Sequence, residues 1–163
     1  SFLGLDPRNL SDTYANYWGQ NTAHSQINYR YCVANPLGNF GYSTDCWGLT
    51  ASDSPNGYNA SSPNSDKGTI APTAALSSMP YTPEESMRAL RYFYYVLGDK
   101  IWSDYGFMDS FNLNKKWFSN SYLAIDEGPI IDMIENYRTG FLWNLFMQSE
   151  DVQRVLKKLG FSY

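Results

Sequence analysis

Five carboxylates of this chain stand in stretches crowded with aromatic rings. Asp53 lies in CWGLTASDSPNGY (46–58), Asp104 and Asp109 in WSDYGFMDSFN (102–112), and Asp126 and Glu127 in SYLAIDEGP (121–129). A carboxylic acid with a raised pKa can protonate a leaving oxygen while a second carboxylate activates water or attacks the sugar, and flat rings can grip pyranose faces. Glycoside hydrolysis needs this combination. Each acid taken alone is more often a helix cap or a solvated charge, so the weight rests on their co-occurrence. In the first stretch Gly48, Pro55, Asn56 and Gly57 break any helix or strand, which puts Trp47, Asp53 and Tyr58 on a loop.

Other chemistries find little support. His24 is the only histidine, no Ser or Cys motif marks a nucleophile for it, and a structural role is expected. No phosphate loop, dinucleotide fingerprint or HExxH is present, and Asp53-x-x-Asn56-Gly57 departs from the spacing of a calcium loop. Cys32 and Cys46 form no CxxC and have no histidine nearby, so zinc is not expected; a disulfide and two buried thiols both fit. No metal and no cofactor is therefore expected. The net charge of −4 and the lack of a basic stripe argue against nucleic acid as a partner. Charged residues make up 17%, against about 25% in typical globular chains, while aromatics also reach 17%. Ring surface has taken the place of charge.

The elements that must position these groups read as helices. A pattern from Ser11 to Ala34 ends at Asn35-Pro36, with Gly19 a possible break. Over 83–97 Thr82 caps, Pro83 takes the first position, and Glu85 completes a Thr-x-x-Glu capping box. A helix over 129–147 is apolar on nearly every side, as a helix enclosed by others would be, and its Asp132, Glu135 and Arg138 exclude a membrane span. Glu135 and Arg138, one turn apart, read as a structural salt bridge, with a buried pair that orients the site as the alternative. Ser149 caps a last helix over 150–159, and a short helix is expected near 72–78. The class is all-α. Segments 35–71 and 99–128 are too long to be structureless connections, and their rings should order them and bring them together at one end of the helices. Too few helices remain to enclose 129–147, which implies a larger helical body.

Three stretches, CWGLTASDSPNGY, GTIAPTAALSSMPYTPEESMRALRYFY and SYLAIDEGPIIDMIENYRTGFLWNLF, resemble the C-terminal part of the glucoamylase-like family. That family includes bacterial endo-β-1,2-glucanases and the glucoamylase-like domain of cyclic β-1,2-glucan synthases. The resemblance implies an (α/α)6 toroid with a cleft built from long loops. It implies that residues 1–163 are the C-terminal portion of one hydrolase-like domain, with further helices before Ser1, in an exported bacterial protein of the periplasm or cell surface. The substrate would be an oligo- or polysaccharide, most simply a β-1,2-glucan. A glycan-binding protein without turnover and a transglycosylase are alternatives on the same fold. Asp126 and Asp53 are the candidate catalytic carboxylates. Trp47, Tyr58, Tyr105, Phe107, Asp109, Asn112, Tyr122 and Glu127 are the candidate sugar ligands, with Glu127 a departure from the glutamine of many relatives. On this reading Trp47→Ala weakens glucan binding and leaves the fold intact.

Overall fold

The first long helix begins where a side chain can take over its free N–H groups. A computed structural model describes residues 2–163. In it α1 spans Tyr17–Ala34, and Oδ1 of Asn16 accepts the Gly19 N–H at 2.8 Å. Its start is later than expected because Ser11 is engaged elsewhere, exchanging two backbone bonds of 2.8 Å with Ser162. Asp12 holds the intervening turn through the N–H groups of Tyr14 and Ala15 and the Tyr17 hydroxyl. Gly19 does not interrupt the helix, and Asn35, left-handed at φ 45°, ends it.

The short α2 (Pro72–Leu76) leads to α3 (Pro83–Tyr95) and the single turn α4 (Gly98–Ile101). The expected capping box at Thr82 does not form. The Thr82 hydroxyl instead reaches the Ser78 carbonyl and the Ser86 hydroxyl, and Glu85 accepts Nε2 of Gln26 at 3.2 Å. Two small antiparallel ladders follow, β1 (Trp102–Ser103) with β2 (Gly106–Phe107) and β3 (Phe111–Asn112) with β4 (Trp117–Phe118). The protein is mostly helical, but these two-residue strands qualify the all-α expectation.

The apolar run expected at 129–147 is two helices, α5 (Ala124–Thr139) and α6 (Phe141–Met147), followed by α7 (Glu150–Lys158). Gly140, at φ 68°, makes the elbow between α5 and α6. A Cβ there would sit 3.3 Å from the Arg8 guanidinium. Helix α5 starts ahead of Pro129, because a proline in its second turn deletes only one N–H. The Leu123 carbonyl closes the first turn by accepting from Asp126 and Glu127 at 2.8 and 2.9 Å. Asp126 therefore sits inside the first turn, where the sequence placed it ahead of the helix. Glu135 and Arg138 form a surface ion pair at 3.2 Å. The face of α5 and α6 bearing Ile125, Ile131, Phe141 and Leu145 is exposed. No helix among the described residues is long and apolar enough to cross a membrane.

The main core forms where the two long loops meet α3. Phe93 takes Phe107 and Phe111 edge-on at centroid distances of 6.2 and 5.7 Å, and Ile70 pairs with Phe111 through two backbone bonds of 2.9 Å. Loop 35–71 is hung from Asp66, whose carboxylate accepts the Tyr31 and Tyr42 hydroxyls, the Asn39 amide and the Gly68 N–H. Both cysteines are free thiols buried in this core, and burial pushes Cys32 up to about 12, leaving it inert.

Trp47 belongs to the same core and is not a sugar platform. It is 0% exposed, packs edge-on against Tyr29 at 5.4 Å, and donates its indole N–H to the Glu85 carbonyl at 3.3 Å. Its neighbour Gly48, at φ 135°, lets the loop approach so near the start of α2 that a Cβ would lie 2.8 Å from the Ala71 carbonyl oxygen. The loop is thus pressed inward at Trp47 and emerges only further on. Trp47→Ala is expected to destabilise the fold by about 3–5 kcal/mol in urea unfolding; a variant as stable as its parent would return Trp47 to the surface.

Candidate active site

Beyond Trp47 the first loop turns outward as a hairpin. Ser52 and Asn59 exchange backbone bonds of 3.1 and 2.9 Å, and Ser54 and Gly57 close the tip. Gly57, at φ 95°, supplies the conformation that the turn needs. Asp53 thereby points its N–H at the second loop and Tyr58 stands half exposed beside it.

The second loop answers with Asp109, which is 1% exposed. Oδ2 of Asp109 accepts the Asp53 N–H at 2.6 Å and the Ser110 hydroxyl at 3.3 Å, while Ser110 also reaches the Asp53 carbonyl at 2.7 Å. The Asp53 carboxylate is held in turn by the Ser121 hydroxyl, which is linked to Ser119 at 2.8 Å. The first turn of α5 brings in Asp126, 8% exposed, and Glu127. Two loops and one helix terminus thus converge on four carboxylates.

Three oxygens of this group are buried without any hydrogen-bond partner: Oδ1 of Asp109, Oδ2 of Asp126 and Oε2 of Glu127. A buried acceptor left unpaired is costly, and hydroxyl donors from a ligand would satisfy it. Burial, then the neighbouring Asp109 and Asp53, push Asp126 up to about 7, while the Tyr58 hydroxyl acts the other way by favouring the ionised form. Burial and then Asp109 push Glu127 up to about 7 as well. Tyr58 is raised too, by burial and then by Asp126. An acid near 7 can give and take protons at neutral pH. No group of three or more His, Cys, Asp and Glu among the described residues is arranged to hold a metal.

The structure brings together Asp53, Tyr58, Asp109, Asp126 and Glu127. Tyr105, 82% exposed, meets Tyr122 edge-on at 5.5 Å and borders, with Trp102 and Glu127, a hollow of about 310 Å³. Two other candidates are structural. Phe107 is buried against Phe93 and Trp102, and Asn112 spends its amide on the Lys67 carbonyl and the Thr69 hydroxyl while accepting from the Lys115 N–H. Asp104 lies exposed in the turn between β1 and β2. His24 is exposed on α1 and lines a separate hollow with Tyr81, Ile125 and Pro129. Sequence reasoning overlooked Ser110, Ser119 and Ser121, whose only signal was their closeness in sequence to Asp109 and Asp126.

Relatives share this architecture. A crystal structure of a Bacteroides uniformis protein described as a putative glucoamylase superposes with a TM-score of 0.98 at 60% identity, covering 99% of this chain and 39% of that one. An endo-β-1,2-glucanase from Chitinophaga pinensis, solved with sophorotriose and glucose, superposes at 0.97 with 52% identity and the same coverage. Among curated proteins, an exo β-1,2-glucooligosaccharide sophorohydrolase of Parabacteroides distasonis is 50% identical over 161 residues, which are 98% of this chain and 22% of the relative. The chain thus spans well under half of each. With residues 1–150 matching the family model described as "Putative glucoamylase", the chain belongs to the glucoamylase-like family.

Proposed function

We propose that this chain is the C-terminal portion of an (α/α)6 glycoside hydrolase domain that cleaves β-glucan, most simply β-1,2-linked. The observation that carries the reading is the set of buried carboxylate oxygens without donors beside half-exposed tyrosines. A ligand rich in hydroxyls supplies the missing donors, and ring faces take its apolar surface. The β-1,2 linkage in the names of the relatives supports that choice of substrate. The exposed apolar side of α5 and α6 gives the rest of a toroid something to cover.

In this reading Asp126 gives its proton to the glycosidic oxygen as the bond to the anomeric carbon breaks. Asp53, its carboxylate oriented by Ser121, is the second acid of the pair: as the leaving sugar departs, Asp53 takes a proton from a water whose oxygen adds to the anomeric carbon and becomes the new hydroxyl there. Tyr58, Tyr105 and Tyr122 border the sugar, and Glu127 accepts from its hydroxyls.

Asp126→Asn keeps the shape and removes the proton. In the full-length protein it should lower release of short glucans by at least about a hundredfold. Turnover within a few fold of the parent would leave Asp126 as a sugar ligand only. The same variant has a second signature in stability. An ordinary aspartate titrates near about 3.9 in an unfolded chain, whereas Asp126 is raised to about 7 in the fold. Between those values the folded state keeps a proton that the unfolded state releases, so this group's contribution falls as pH rises. Asp126→Asn is therefore expected to be more stable than the parent at pH 8, by on the order of 1–2 kcal/mol, with the gap closing toward pH 4. Denaturant unfolding at the two pH values measures it. Tyr58→Ala should weaken glucan binding by about three- to tenfold with unchanged unfolding, because the ring lies on a hairpin outside the core.

A further inference from the structure

The hollow of about 310 Å³ between the β1–β2 hairpin and α5 is joined to the carboxylate group by three short stretches of chain. Asp109, which fixes the Asp53 N–H, lies just beyond Phe107, which walls the hollow. Ser121, which holds the Asp53 carboxylate, precedes Tyr122, whose ring meets Tyr105 of the hollow edge-on at 5.5 Å. Asp126 precedes Glu127 in the first turn of α5, and consecutive helix positions point about 100° apart. The hollow therefore adjoins the acids, and a ligand longer than they can hold can extend into it.

Its walls are of two kinds. Ile130, Ile131 and Ile134 of α5 and Leu90 of α3 make it apolar, while Trp102, 45% exposed, and Tyr105 bring ring surface to it. Trp102 is braced edge-on by Tyr94 at 5.1 Å and by Phe107 at 4.8 Å, so the indole is held in place. Glu127 stands among these walls with Oε2 buried and without a donor. An apolar occupant would leave that acceptor unpaired, whereas a sugar brings an apolar ring face for the indole and hydroxyls for the carboxylate. We propose that this hollow is a glucan subsite beside the cleavage point, in which Trp102 takes the sugar face and Oε2 of Glu127 accepts one of its hydroxyls. The two residues thereby set how strongly longer chains are preferred. The subsite rests on the hydrolase reading for its ligand, a β-glucan, and is continuous with the acids that reading uses.

The test measures kcat/KM of the full-length protein on β-1,2-glucooligosaccharides of rising length. In the parent the value should climb as the chain becomes long enough to fill the hollow. Trp102→Ala and Glu127→Ala should each lower the ratio of the longest to the shortest cleaved chain by about five- to tenfold. Any uniform effect on catalysis cancels in that ratio. Glu127→Ala removes an unpaired buried acceptor and should not lower Tm, and its result does not depend on Trp102→Ala folding. A parent without length preference, or a ratio that either folded variant leaves in place, overturns the subsite while the hydrolase reading stands. Loss of Tm in both variants with the ratio unmoved would mark the hollow as a seat for another part of the fold. If no β-glucan is turned over, the hydrolase reading fails by itself, and titration calorimetry with the longest chain decides the subsite. Weaker binding by Trp102→Ala than by the parent then supports it, and equal or absent binding defeats it.

Discussion

The site depends on one backbone donor, the N–H of Asp53, meeting one buried carboxylate, that of Asp109, at 2.6 Å. A backbone N–H at the base of a closed hairpin has no freedom to turn away, and a charged acceptor strengthens the bond. This contact joins a loop that starts after α1 to a loop that ends at α5. With the Ser110 and Ser121 hydroxyls, which also reach Asp53, it keeps the Asp53 carboxylate against the loop that leads to Asp126. The bridge between Ile70 and Phe111 and the packing of Phe93 on Phe111 hold the same two loops together from below. The polar contact sets the register of the acids, and the apolar layer keeps water from competing for it.

Two carboxylates of the first loop show how differently the same chemistry can be used. Asp66 collects four donors from Tyr31, Asn39, Tyr42 and Gly68 and is saturated. It fastens the loop and has nothing left to offer. Asp109 and Asp126 each keep an oxygen unpaired in a dry setting. A fold selected for stability alone would fill those positions with donors or with apolar groups. Leaving them open costs stability and leaves acceptors that an incoming hydroxyl donor would satisfy.

Much of this was legible in the sequence, and the failures have physical causes. Helix ends marked by Pro83, Asn35 and Gly160 fell within a few residues of where they stand, because capping and breaking are local. Asp53, Asp109, Asp126 and Glu127 could be singled out because acids among rings are rare, and they do converge. Trp47, Phe107 and Asn112 were misjudged for a shared reason. A turn-rich segment reads as exposed, but a loop of such length folds back and acquires a core of its own, and sequence spacing does not say which of its rings turn inward. The extension of α5 past Pro129 was missed because a proline in an early turn removes a single bond and is readily tolerated. The serines that orient Asp53 carried no pattern at all, since a hydroxyl becomes a ligand only through a fold that brings distant segments together.

The hairpin tip from Ser54 to Gly57 is fixed at its base by the paired Ser52 and Asn59, and it closes on itself. Nothing in the core leans on it. Lengthening such a tip costs only the slowly growing entropy of closing a longer loop, while Asp53 stays pinned one residue inside the base. The acids can therefore remain in place while the overhang above them changes in reach. This separates the carboxylate cluster from a part whose length can vary, so that a longer or shorter tip would need no compensating change in the acids beneath.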